Sequence, residues 1–141
     1  MRRLTRFISL PQAEQTLFLR ALLRVGAIRL GLWLLPSRTV LHAVLGMEGR
    51  GRRGAGRHPV DRLAWAIRAA ARYVPGATCL TQALALQWLL VRSGHISSVH
   101  LGAKKSPEGK FEAHAWVECD GLVVTDDLEK CEAFTPVARY T

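Results

Sequence analysis

The sequence predicts an α+β fold in which a run of helices precedes a small antiparallel sheet. Up to Arg92 the apolar residues recur every three or four positions, and from His95 onward they recur every two. Asp120-Gly121, the strongest short signal for a two-residue hairpin, then joins two of the β-patterned runs. At 141 residues the chain is one domain, 1–141, and can bury a core without disulfides or metal. Hydrophobic residues at 49% and charged residues at 22% exclude global disorder.

Taken in order, residues 4–10 are a short apolar lead-in closed by Pro11. From Gln12 to Leu35, Leu17, Ala21, Leu22, Val25, Ile28, Leu32 and Leu35 form one apolar stripe of a helix, with Arg20, Arg24 and Arg29 away from much of it. The run is long enough to span a bilayer, but each Arg at mid-membrane costs ~2.5 kcal/mol or more. The expectation is a helix docked on the core, which leaves peripheral membrane contact open and integral insertion not expected. Pro36-Ser37 ends it, and Ser37 is read as the N-cap of a shorter helix through Leu45. Residues 46–58 hold five glycines and four arginines, a composition that predicts a flexible basic loop. Pro59 to Arg72 is helical again, Pro75-Gly76 is a turn, and Thr78 is the expected N-cap of a helix from Cys79 to Arg92 that stops at Ser93-Gly94.

The β-patterned part begins with His95–Ala103, centred on Ile96 and Val99. A loop over Lys104–Lys110 leads to a second strand, Phe111–Cys119, and the hairpin to a third, Leu122–Thr125. The tail from Leu128 is mixed, and Pro136 argues against a central strand there.

Charge divides the chain at the same boundary. Residues 1–72 carry 14 Arg against Glu14, Glu48 and Asp61, or +11, while residues 73–141 carry 6 Lys and Arg against 8 Asp and Glu, or −2. The first part is thus helical and basic, and 73–141 is the expected catalytic core. A basic half attracts an acidic peptide, an anionic membrane or nucleic acid, and charge alone does not choose among them. An RNA-binding reading of the Arg/Gly loop lacks any accompanying aromatic recognition motif, so no nucleic-acid partner is expected. Three cysteines with no secretory pattern ahead of them point to a reducing cytoplasm and free thiols.

The chemistry centres on Cys79, His114 and an acid. A thiol is a nucleophile only as thiolate, and the unpaired N–H groups of a first helical turn favour an anion there. An imidazole beside it, oriented by a third group, completes a nucleophilic constellation. His114 on the second strand supplies the imidazole. A strict two-residue turn pairs Cys119 with Leu122 and therefore His114 with Asp127, whereas a one-residue bulge brings Asp126 onto the His face instead. The residues alone leave Asp126 and Asp127 open. Cys119 and Cys131 lack the helix-start setting and are expected as core or surface thiols. A zinc site from Cys79, His114, Cys119 and Cys131 lacks close paired-ligand spacing, and His95 and His100 fall on opposite strand faces, so neither metal nor cofactor is expected.

The run Cys79-Leu80-Thr81-Gln82-Ala83-Leu84-Ala85-Leu86 with Leu89-Leu90-Val91-Arg92-Ser93-Gly94, and Phe111-Glu112-Ala113-His114-Ala115-Trp116-Val117-Glu118 with Val123-Val124-Thr125-Asp126-Asp127, resemble the leader peptidases of lasso peptide biosynthesis. These are transglutaminase-like B proteins, and the likeness covers most of residues 12–137. The resemblance implies a papain/transglutaminase-like fold with a nucleophile-bearing helix packed on the sheet. It implies a Cys-His-Asp triad with Cys79 as nucleophile, His114 as base and Asp126 rather than Asp127 as orienter. It implies a cytoplasmic cysteine peptidase that removes the leader peptide from a lasso peptide precursor before a cyclase forms the macrolactam. Because only a helical prefix precedes Pro75, it further implies the stand-alone peptidase of a split system, with a separate leader-recognition protein, the precursor peptide and the lasso cyclase as partners. Gln82 departs from the Arg often found there in the family. Amide transfer, with an amine in place of water, is the alternative enzymatic reading.

Overall fold

The computed structural model describes residues 8–9, 11–45, 59–119, 121–125 and 131–140. The Arg/Gly loop 46–58, most of the lead-in, and both Asp126 and Asp127 lie outside them. Four helices come first: α1 (Gln12–Leu34), α2 (Ser37–Leu45), α3 (Val60–Ala71) and α4 (Cys79–Arg92). Four strands follow, β1 (Ser97–Lys105), β2 (Phe111–Cys119), β3 (Leu122–Val123) and β4 (Thr135–Tyr140), in one antiparallel sheet of order β3-β2-β1-β4. This is the expected α+β arrangement, with one more strand than expected. No helix among the described residues is long and apolar enough to cross a membrane.

Helix α4 is the centre of the core. It packs on α1 and α3 on one side and on β1 and β2 on the other. Its sequence is apolar almost all round, and Ala83, Leu84, Ala85, Leu86 and Leu90 are all fully enclosed. Polar residues share that interior, Gln87 and Ser97 among them. Gln87 donates through Nε2 to the Ser97 carbonyl at 3.2 Å and accepts from Ser97 Oγ at 2.6 Å, so the pair ties α4 to the start of β1 with its polar atoms satisfied. Leu17, Ala21, Val25 and Ile28 form the buried stripe of α1, as their spacing requires, but Leu35 is exposed beyond the helix end.

The helix ends follow local chemistry. Leu35 is extended because Pro36 disfavours a helical residue before it, and its amide closes on the Gly31 carbonyl at 2.7 Å. The Pro36 carbonyl accepts from Thr39 and Val40, so Pro36 is the cap of α2 and Ser37 its first helical residue, correcting the assignment of Ser37 as cap. Thr78 does cap α4: its hydroxyl accepts from the Thr81 amide at 3.4 Å. At the far end Gly94, with φ 83, lets its own amide reach Val91 and the His95 amide reach Leu90 at 2.9 Å. That tight stop turns the chain straight back into β1.

The sheet departs from expectation at both edges. Ile96 is not at a strand centre; it lies outside β1 and is 86% exposed. Cys119 pairs with Leu122, so the hairpin has the strict two-residue loop, with Gly121 at φ 79. The ladder does not run on as a regular strand. The Val124 amide still reaches the Val117 carbonyl at 2.9 Å, but the Val117 amide is taken by the Thr125 hydroxyl at 3.0 Å. At the opposite edge the tail forms β4 against β1. Pro136 sits there on an edge strand beside a register shift that leaves Val137 unpaired and exposed, the setting in which a strand tolerates proline.

Candidate active site

Cys79 is the first residue of α4, partly buried against the edge of the core. The turn before it is held from outside. Arg29 of α1 donates through Nε to the Pro75 carbonyl at 3.3 Å, and a side chain at Gly76 would run into the Arg29 guanidinium at 2.7 Å. Gln82 reaches back one turn and donates to the Ala77 carbonyl at 3.4 Å, a local structural contact. In the first turn the Thr81 amide goes to the Thr78 hydroxyl and the Gln82 amide to the Thr78 carbonyl. The amides of Cys79 and Leu80 have no helical partner by position, and such groups favour an anion beside them.

His114 lies on β2 opposite Gly102 of β1. From Arg92 back to Cys79 the helix rises ~20 Å, and β1 runs ~17 Å from Ser97 to Gly102. The reversal at Gly94 sends the chain back into β1, and β2, which carries His114, packs on α4 beside it. Ala115 and Val117 turn to the helices, with Val99 and Leu101 as their cross-strand neighbours. His114, Trp116 and Glu118 turn to the other face. Cys79 thus packs on the helix side of the sheet, and the His114 side chain stands on the opposite face.

On that outer face His114 is buried among rings. Its imidazole is 5.1 Å from the Phe134 ring and 6.0 Å from Trp116, and Cys131 completes the cluster. Gly102 makes room for this: an added Cβ would lie 2.8 Å from Phe134 Cβ and 2.8 Å from Trp116 Cζ3. Further along, His100 stacks on Trp116, its Nε2 sits 2.9 Å from Ser98 Oγ and 3.3 Å from Glu118 Oε2, and the indole N–H donates to Glu118 Oε1 at 3.3 Å. Both Ser98 and Glu118 approach the same imidazole nitrogen, so these three residues do not form a relay of the Ser-His-acid type. Burial, opposed by Glu118 and reinforced by Arg139, pushes His100 below its usual pKa.

The remaining expected residues are also placed. Cys119 and Cys131 are buried thiols outside any disulfide, with Cys119 Sγ 3.4 Å from the Ile96 carbonyl. His95 precedes β1 rather than lying on it. Asp126 and Asp127 lie outside the described residues, so the register argument for either stops at Thr125. Trp116, Glu118, Phe134 and Gly102 were not singled out from the sequence as part of this environment. Period-two alternation in His114-Ala115-Trp116-Val117-Glu118 is the signal that puts two of the surrounding residues, Trp116 and Glu118, on the His face.

The fold thus sets a thiol on the first turn of a buried helix, packed on an antiparallel sheet whose second strand carries a histidine. The family model described as the transglutaminase-like superfamily matches residues 22–139, and the chain belongs to that superfamily. No curated protein and no solved structure matches it. Membership brings chemistry of the cysteine-peptidase or amide-transferase type.

Proposed function

We propose that the chain is a cysteine peptidase that cleaves the leader from a lasso peptide precursor, with Cys79 as nucleophile, His114 as base and Asp126 as the residue orienting it. The observation that supports the reading is Cys79 at the first position of α4 in a transglutaminase-like chain whose second strand carries His114. The thiolate of Cys79 attacks the carbonyl at the leader–core junction, and first-turn amides stabilise the oxyanion. His114 protonates the departing core amine, and water then hydrolyses the leader thioester, returning the proton to the sulfur through His114. The freed core amine is the group a macrolactam-forming cyclase needs. On this reading the protein works in the cytoplasm beside that cyclase and a separate leader-recognition protein.

The test is incubation of a candidate precursor with the protein, with and without the recognition protein, read by mass spectrometry. Free leader and shortened core are expected from the wild type and not from a folded Cys79→Ala variant. Cleavage by Cys79→Ala at the wild-type rate would sink the assignment. A cross-linked product in place of two hydrolysis fragments would instead show amide transfer.

A further inference from the structure

Helix α1 buries one apolar stripe and leaves a second in solvent. Leu19, Leu23, Ala27, Leu30, Trp33 and Leu34 follow each other along its outer side, and all are exposed, Leu23 and Trp33 each at 72%. Single exposed apolar residues are ordinary, but a continuous row along ~24 Å of one helix marks an interaction surface. Arg20 alone of the helix's arginines is exposed beside it. Arg24 is spent on the fold, its guanidinium 3.9 Å over the Trp88 ring, and Arg29 is spent on the Pro75 carbonyl.

We propose that this face of α1 docks on an anionic lipid surface, lying in the interface plane without crossing it. Charge decides between occupants. The helix itself carries Arg20, Arg24 and Arg29 against Glu14 alone, so a second copy seated on it would bring two basic helices together. An anionic bilayer offers the opposite charge, and each basic side chain near it adds attraction. The row has the side chains that such a surface takes, branched aliphatics with a Trp at one end, and almost none that would hydrogen-bond across a protein interface. The inference is independent of the peptidase reading: it involves neither Cys79 nor His114.

The experiment is co-sedimentation of the full chain with vesicles of phosphatidylcholine alone and of phosphatidylcholine mixed with phosphatidylglycerol, across a salt series. Binding to the anionic vesicles, weakening as salt rises, is expected, with little on the neutral ones. Leu23→Glu combined with Leu30→Glu changes only exposed positions and should weaken binding by about tenfold or more, because both charges must enter the apolar boundary. Quenching of tryptophan fluorescence by brominated lipid is expected in the wild type and should be largely lost in Trp33→Phe, which gives a second readout if the double variant does not fold. Absence of wild-type binding to anionic vesicles overturns the proposal. So does a folded double variant that binds like the wild type, or a lipid-free dimer that the double variant dissociates.

Discussion

His100 lies face to face with Trp116, ring centroids 5.7 Å apart and planes within 14° of parallel. Trp116 in turn lies 6.0 Å from His114, which lies 5.1 Å from Phe134. Glu118 closes this row of rings by reaching both the Trp116 indole N–H and His100 Nε2. The candidate base therefore does not stand alone on its strand. Its ring plane is set by neighbours that are fixed at both ends, so changes well away from His114 should be felt there.

The first expectation concerns pH. Burial, more than the opposing Glu118, holds His100 below its usual pKa, so the folded state prefers the neutral imidazole. A group lowered in this way contributes stability above the unfolded value near 6.5 and loses it as pH falls through the folded value. Thermal melting measured from pH 8 to pH 5 should show the wild type losing stability faster than His100→Gln. Parallel curves for the two proteins would mean that His100 charges as freely in the fold as outside it.

Gly102 is the second. A Cβ there meets Phe134 Cβ at 2.8 Å and the Trp116 ring at 2.8 and 2.9 Å, and the Phe134 atom is tied to its backbone. Gly102→Ala should cost about 1–3 kcal/mol as overpacking and should alter the near-UV dichroism of Trp116. Gly26 on α1 is the control, since a Cβ there meets nothing within 4 Å. Gly26→Ala should be stabilising by about 0.5–1 kcal/mol. Urea midpoints of both variants, moving in opposite directions, check the pair.

The contrast between these glycines shows where sequence reasoning reached and where it stopped. Helices α1, α3 and α4 were legible because each holds its apolar period for twelve residues or more between a proline or threonine and a stop signal. Cys79 at a helix start and His114 on a strand followed from the same patterns. Strand β4 was not legible, because the tail's pattern is mixed, Pro136 argues against a central strand, and the edge position that accommodates it is a tertiary fact. Ile96 was misplaced because a branched apolar residue beside Val99 looks like strand core until the turn at Gly94 sets where β1 begins. Gly102 gave no signal at all: its necessity comes from Phe134, thirty-two positions away, arriving over the same point of β1.

The buried polar pair supplies the third expectation. Gln87 and Ser97 satisfy each other where α4 meets β1, with nothing of Gln87 exposed. Gln87→Leu should cost about 1–3 kcal/mol because Ser97 Oγ then stays buried without its partner. Ser97→Ala added to Gln87→Leu should recover part of that loss, since the interface becomes uniformly apolar. Denaturant unfolding of both single variants and the double variant gives the coupling. Strict additivity would show that the two side chains do not depend on each other.

The last expectation returns to the start of α4. Thr78 Oγ1 accepts from the Thr81 amide at 3.4 Å and lies 3.2 Å from the Thr81 hydroxyl. Thr78→Ala removes that acceptor and should cost about 1 kcal/mol, whereas Thr78→Ser keeps the oxygen and should recover most of it. The consequence for chemistry differs from the consequence for stability. A frayed first turn no longer holds the Cys79 and Leu80 amides toward one point, so a carbonyl oxygen of a reagent beside the thiol loses their hydrogen bonds. The alkylation rate of Cys79 by iodoacetamide at neutral pH should therefore fall in Thr78→Ala and return in Thr78→Ser. Cys119 and Cys131 are buried in the fold, so Cys79 dominates the native signal. If Thr78→Ala lowers the urea midpoint while leaving the alkylation rate unchanged, the cap serves the helix and not the thiol.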